Sequence, residues 1–201
     1  MLFCGKGIKT IAITSCNEND GKSTISSELA KSLSEAGYRT LLIDADMRKS
    51  VLIKGKIAAK MIEGLSEQLS GMCEKEDIIY KTQHEKFDVI FAGRFPPSPV
   101  ELIGNGRFEQ LLKELKEEYD YIIIDTPPLG IVIDAAVISS YCDGAMLVLA
   151  AGKTSRKLAV DVKKQLEQSG CKLLGAIVNE VKKPNKFYKN EYKSKYYAEY
   201  K

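Results

Sequence analysis

Apolar residues in this chain gather in short runs separated by amphipathic stretches. The runs are TIAITS (residues 10–15), TLLID (40–44), FDVIFAG (87–93), YIIID (121–125), GAMLVLAA (144–151) and KLLGAIVN (172–179). Runs this short and this uniformly apolar predict strands buried on both faces. Between them the period changes. KSTISSELAKSLSEAG (22–37) sets Ile25, Leu29 and Leu33 on one helical face and ends in a glycine suited to a C-cap. RFEQLLKELKEEY, IVIDAAVISSY and RKLAVDVKKQLEQSG also read as helices, and GLSEQLSG as a short one. PPSPVELI opens another, with Pro99 at its first position and Ser98 and Glu101 as a capping box. Residues 45–71 are less regular. Strand–helix alternation of this kind predicts a three-layer α/β/α fold around a mostly parallel sheet.

Three strand ends carry candidate chemistry. TIAITS runs into CNENDGKST and then a helix, the context that a phosphate-binding P-loop requires. Helix N-terminal N–H groups and a lysine ammonium favour phosphate there. Asn19, Asp20, Gly21, Lys22, Ser23 and Thr24 are the candidate nucleotide-binding residues. Lys22 would reach the β- and γ-phosphates, and Ser23 would ligate Mg²⁺. Cys16 stands where GxxxxGK[ST] begins with glycine, so Asn17 and Asn19 are expected to supply positive φ. A chance GKST at a helix start is the competing reading, weakened by the strand and helix that flank it.

The second strand end, LLIDADMRK, presents Asp44, Asp46 and then Arg48. Ligands of open parallel sheets bind at such carboxyl ends. Two carboxylates there can hold Mg²⁺ through water or take a proton from an attacking hydroxyl. Taken alone, a polar loop with Asp46 and Arg48 solvated is the plainer account. The third, YIIIDTPP, delivers Asp125 in the form of a Walker B strand. On their own, strand-end aspartates are common caps, but three sites at strand ends can converge on one crevice. Asn179, closing the last run, is a candidate base contact, against the plainer reading of a turn asparagine. Arg156 and Lys157 read as a solvated helix start and His84 as surface.

Composition adds one feature. The chain of 201 residues is 44% hydrophobic and carries a net charge of +3. Residues 182–201 hold seven lysines against two glutamates, or +5, so the other 181 sum to −2. That segment also holds five of the ten tyrosines, Tyr188, Tyr192, Tyr196, Tyr197 and Tyr200. We therefore divide the chain into a P-loop domain (1–181) and a tyrosine- and lysine-rich tail (182–201). So polar a tail cannot bury enough apolar area to fold alone, leaving its hydroxyls accessible as phosphoacceptors. A docking helix with a tyrosine stripe, or a basic arm for nucleic acid or anionic lipid, are the competing readings. Phosphorylating all five would add roughly −8 to −10 charges. The five cysteines form no CxxC pair and a single histidine gives no zinc set, so reduced thiols of a cytoplasmic protein are expected. The first residues contain no apolar signal region, and no apolar run approaches the roughly 20 residues that span a bilayer.

On these motifs the chain resembles the bacterial tyrosine kinases (BY-kinases) of capsule and exopolysaccharide synthesis, over nearly its whole length. CNENDGKST corresponds to their Walker A, LLIDADMRK to their Walker A′, YIIIDTPP to their Walker B, GRFPPSPVEL to their PPNPxEL segment and the tail to their tyrosine cluster. The resemblance implies a P-loop kinase using ATP/ADP and Mg²⁺. Lys22 and Ser23 would bind ATP·Mg²⁺, Asp46 and Asp125 would support the metal, and Asp44 would activate the attacking tyrosine. It further implies autophosphorylation of the tail in trans, a transmembrane chain-length-determinant-type modulator that brings the kinase to the inner face of the membrane, and a cognate phosphotyrosine phosphatase. No nucleic acid is expected. The family's ExxRxxR helix, which holds a ring of subunits, finds no counterpart in the nine residues before Thr10, so a ring is not expected. Where the family often has Pro-Gly-Glu, this loop has Glu18, Asn19 and Asp20. Two other readings compete. One is a partition- or septum-positioning-type ATPase of the same superfamily, whose second loop lysine is Asn17 here. The other is a nucleotide-binding scaffold without efficient phosphotransfer.

Overall fold

The computed structural model describes residues 7–50 and 62–182. Its centre is a seven-stranded sheet: β1 (Thr10–Ser15), β2 (Thr40–Asp44), β3 (Tyr80–Lys81), β4 (Phe87–Ile90), β5 (Tyr121–Asp125), β6 (Gly144–Ala150) and β7 (Leu173–Asn179). The strands lie in the order β3-β4-β2-β5-β1-β6-β7, and all pairs are parallel except β3–β4. The helices are α1 (Lys22–Glu35), α2 (Leu65–Leu69), α3 (Pro99–Ile103), α4 (Arg107–Glu118), α5 (Asp134–Ser140) and α6 (Arg156–Gln168).

The central apolar runs became strands because the pleat splits them between two cores, whereas β7, expected to be buried on both faces, is an edge strand with no fully buried residue and with Val178 exposed. On β2, Leu41 and Ile43 enter one core and Leu42 the other; on β5, Ile122 and Ile124 oppose Ile123 in the same way. The first core also takes Leu65 and Leu69 of α2, Ile103 of α3 and Phe108 and Leu111 of α4. The second packs Ala30 and Leu33 of α1 over the sheet. A third cluster joins Ala12 and Leu147 to Val162 and Leu166 of α6. Helix α1 ends as expected: Gly37 takes φ +96°, while its N–H and that of Tyr38 bond back to the carbonyls of Ser34 and Leu33.

Three expectations need adjustment. FDVIFAG is a strand only to Ile90; the carbonyls of Phe91 and Ala92 turn instead to the N–H groups of Leu65 and Ser66 at the start of α2. Ser98 is the N-cap of α3 but makes no side-chain cap bond, so the capping box with Glu101 is not formed. Its φ of −132° and ψ of 80°, set before Pro99, depart from the extended geometry that aims a cap hydroxyl at the helix. Asn19 has φ +62°, as expected, but Asn17 does not share it; the Asn17 N–H donates to Asp20 Oδ2 at 2.9 Å. The two-residue β3 and the 3₁₀ turn Lys75–Ile78 carry too short a pattern to read from sequence. Among the described residues, no helix is long and apolar enough to cross a membrane. The tail tyrosines lie outside the described residues.

Candidate active site

β1, β2 and β5 are neighbours at the sheet centre, and all three lose their ladder at the same end. Their chain order therefore brings the P-loop and Asp46 to one crevice of about 440 Å³, while Asp44 and Asp125 stand buried at the strand ends outside its lining. Parallel register sets Asp44 directly opposite Asp125.

The loop is held open from behind. Gly21, at φ +93°, leads into Lys22, the first residue of α1. A Cβ on Gly21 would stand 2.1 Å from Asn179 Nδ2. That amide donates to the Asp20 carbonyl at 3.0 Å, so Asn179 braces the loop as well as lining the crevice. Cys16 replaces the usual glycine without strain because its φ is not positive; its carbonyl faces Gly130, where an added Cβ would be 2.1 Å away. Burial pushes the Cys16 thiol up to about 11, leaving it protonated and inert.

The charged groups are paired with one another. Lys22 Nζ lies 3.1 Å from Asp46 Oδ2, with both side chains nearly buried, and 3.3 Å from Ser23 Oγ. Asp46 Oδ1 accepts the Lys49 N–H at 3.0 Å. Asp44 accepts the Asp46 N–H at 3.1 Å and the Ser50 hydroxyl at 2.6 Å. Burial nevertheless pushes the Asp44 carboxyl up to about 7; the Ser50 bond pulls it down and the Asp125 charge pushes it further up. Asp125 is raised too, by burial first, against the attraction of Lys22. The Ser26 hydroxyl sits 2.9 Å from the Lys22 carbonyl and 3.1 Å from Asp125 Oδ1, so its single proton serves one at a time. Asp125 Oδ2 is buried with no hydrogen-bond partner.

That orphaned oxygen tests whether a metal ion fits. A buried acceptor in want of a partner, beside a helix N-terminal serine and a second carboxylate, is the donor set of a Mg²⁺ site shared with phosphates. Among the described residues no three His, Cys, Asp or Glu side chains form an all-protein metal cage. Mg²⁺ does not need one, since it ordinarily binds one or two carboxylates plus substrate oxygens and water.

Of the residues expected at the site, Asn19, Gly21, Lys22, Ser23, Thr24, Asp46 and Asn179 line the crevice, and Asp20, Asp44 and Asp125 are buried and do not line it. Asp20 proves to be an internal brace of the loop, its carboxylate holding Asn17 N–H. Ser26, Ser50, Gly130 and Asp134 also contribute to the site and were not expected from the sequence. Ser26 had a usable signal, standing one helical turn after Ser23. Asp134 had none: it is buried at the start of α5 and grips Arg48 Nε at 2.8 Å and Nη2 at 3.3 Å across 86 positions of chain. Arg48 is thus a strut rather than a solvated side chain.

A Gly-Lys-Ser loop before a buried helix, with carboxylates on the two neighbouring strand ends, defines a nucleotide-binding P-loop protein. The AAA domain family matches residues 8–151. The tyrosine-protein kinase CpsD of Streptococcus agalactiae is 48% identical over 179 residues, covering 89% of this chain and 78% of CpsD. The kinase domain of the Escherichia coli tyrosine kinase ETK superposes with a TM-score of 0.84 at 34% identity, covering 90% of this chain and 71% of that one. The chimerical protein CapA2B2 also gives 0.84, at 35% identity, covering 90% and 79%. The chain belongs to the bacterial tyrosine-protein kinase family.

Proposed function

We propose that this kinase transfers the γ-phosphoryl group of ATP to the tyrosines of its own tail, Tyr188, Tyr192, Tyr196, Tyr197 and Tyr200, and through that charge change regulates capsular or exopolysaccharide synthesis and export. The observation that carries the chemistry is Asp44, a buried carboxylate raised to about 7, beside the Lys22–Asp46 pair and opposite Asp125. A carboxylate poised near neutrality is matched to taking a proton from a tyrosine hydroxyl. As the tyrosine Oη bonds to the γ-phosphorus, the bond to the bridging oxygen of ADP breaks and the phenolic proton passes to Asp44. Lys22 and the N–H groups opening α1 neutralise the phosphate charge. Mg²⁺, held by Ser23, Asp46 and Asp125, would supply further charge neutralisation on the phosphate oxygens.

The likeness to CapA2B2 and the basic tail support a membrane-bound modulator of the chain-length-determinant type as partner, with the kinase peripheral to the inner membrane face. A phosphotyrosine phosphatase is the expected counterpart that resets the tail. The positioning-type ATPase and the scaffold are not favoured, given the identity to named tyrosine kinases and the complete carboxylate set. Incubation with ATP and Mg²⁺ beside Lys22→Met, followed by phosphopeptide mapping, tests the proposal. Phosphotyrosine confined to the tail and absent from the variant is expected. Inorganic phosphate released with an unmodified tail would instead mean an ATPase switch.

A further inference from the structure

Among the described residues three cations border the crevice, and they are held very differently. Lys22 is engaged by nearly buried Asp46 at 3.1 Å. Arg48 is engaged by Asp134, whose side chain is 2% exposed. Withdrawing Arg48 would strand a buried carboxylate, a costly change, so it stays where it is. Lys49 is paired with Glu18, and here both side chains are open to solvent, 58% and 46% exposed. Exposed ion pairs of this kind are weak and exchange partners readily. Both residues line the crevice, Glu18 from the P-loop and Lys49 from the turn after β2. The root of Lys49 is fixed, because its backbone N–H donates to the same Asp46 carboxylate that touches Lys22. Only the flexible stem and its ammonium are free to move.

The loop itself explains why another cation is needed. Residues 16–20 contain two acids, Glu18 and Asp20, and no lysine or arginine, so Lys22 is its one positive side chain. A triphosphate entering this crevice meets Glu18 as a repelling charge and Lys49 as an available one.

We propose that Lys49 is the second phosphate-binding cation of this kinase, supplied by the Walker A′ turn in place of a P-loop lysine and held by Glu18 until nucleotide arrives. Binding then exchanges one partner for another: Lys49 leaves the Glu18 carboxylate for phosphate oxygens, and Glu18 turns to solvent. The inference rests on the nucleotide reading of the crevice given above.

Fluorescent ATP-analogue titration of the whole chain with Mg²⁺ tests it, using wild type, Lys49→Ala, Glu18→Gln and the double variant. Loss of one charge-assisted contact predicts that Lys49→Ala weakens binding about 5- to 10-fold. Glu18→Gln frees the ammonium and removes a repulsion, so it tightens binding about 3-fold. The double variant binds more weakly than wild type but no more weakly than Lys49→Ala, because only the Glu18 repulsion is relieved when Lys49 is absent. The melting temperature without nucleotide stays within about 1 °C in all four, since the pair is exposed; a purely structural role would move it. Wild-type affinity in Lys49→Ala, or weaker binding in Glu18→Gln, overturns the proposal while leaving the nucleotide site intact. No binding by wild type would overturn the nucleotide reading and this inference together.

Discussion

Asp44 and Asp125 face each other across the β2–β5 pair, each about 1% exposed and each raised by burial. Two like charges in register at a sheet centre oppose folding, and we propose that the fold keeps them for phosphotransfer. Stability spent on a site in this way is recoverable by mutation.

Asp44→Asn should therefore stabilise the metal-free protein while greatly slowing phosphotransfer. The folded carboxyl titrates near 7, above its unfolded value of 3.8. A group raised on folding contributes stability that is full below the unfolded value and lost as pH rises through the folded one. Wild type should thus lose stability between about pH 4 and pH 7, and Asp44→Asn should lose less. Thermal melts in EDTA at pH 5 and pH 8 check this; a variant less stable than wild type at pH 8 contradicts it.

Much of this was legible in the sequence, and the reason is periodicity. Parallel strands buried on both faces read as continuous apolar runs, and β2 and β5 begin and end where the runs do. The strand-end aspartates were visible because a carboxylate directly after such a run marks where a buried strand opens onto a crevice or solvent. What was illegible depends on pairing between distant positions. Asp134 looked like any acid at a helix start, and only the fold shows Arg48 reaching it. Gly130 drew no expectation from the sequence, and only the fold shows the Cys16 carbonyl against it. Ser98 followed the capping-box spacing, yet the backbone entering Pro99 does not aim its hydroxyl.

Arg48→Met should destabilise by about 2 kcal/mol, below the roughly 3–5 kcal/mol of a wholly buried pair because Arg48 itself is partly exposed. Asp134 would be left buried without its partner. Asp134→Asn with Arg48→Met should recover much of the loss, since the stranded charge is gone. Urea unfolding of the two variants measures both quantities.

Gly130→Ala tests the packing that lets cysteine begin the P-loop. Its new Cβ would sit 2.1 Å from a backbone oxygen, which cannot rotate away. Overpacking of that kind costs about 1–3 kcal/mol. Because the displaced atom belongs to Cys16, nucleotide affinity should fall as well. Cys16→Gly alone should leave affinity within about 3-fold of wild type, since the backbone at position 16 does not require glycine and its carbonyl keeps its place against Gly130. Paired denaturation and nucleotide titration separate the two effects.

Asn179→Ala should weaken nucleotide binding through the loop rather than through stability. It removes the amide that holds the Asp20 carbonyl at 3.0 Å and packs on Gly21. One such hydrogen bond is worth about 1 kcal/mol, or roughly a 5-fold change in affinity. Calorimetric titration with ADP measures the change; an unaltered affinity would show that the loop keeps its form unaided.

The most direct test of the central claim is a single-turnover reaction with γ-labelled ATP and Mg²⁺, run on wild type and on Asp44→Asn, with the label followed into protein and into inorganic phosphate. The account predicts label on Tyr188–Tyr200 in wild type. In the variant it predicts transfer slowed by about two to four orders of magnitude, the usual contribution of a general base, with ATP still bound. Label transferred equally well by both proteins, or appearing only as inorganic phosphate, would contradict a kinase that acts through Asp44 on its own tail.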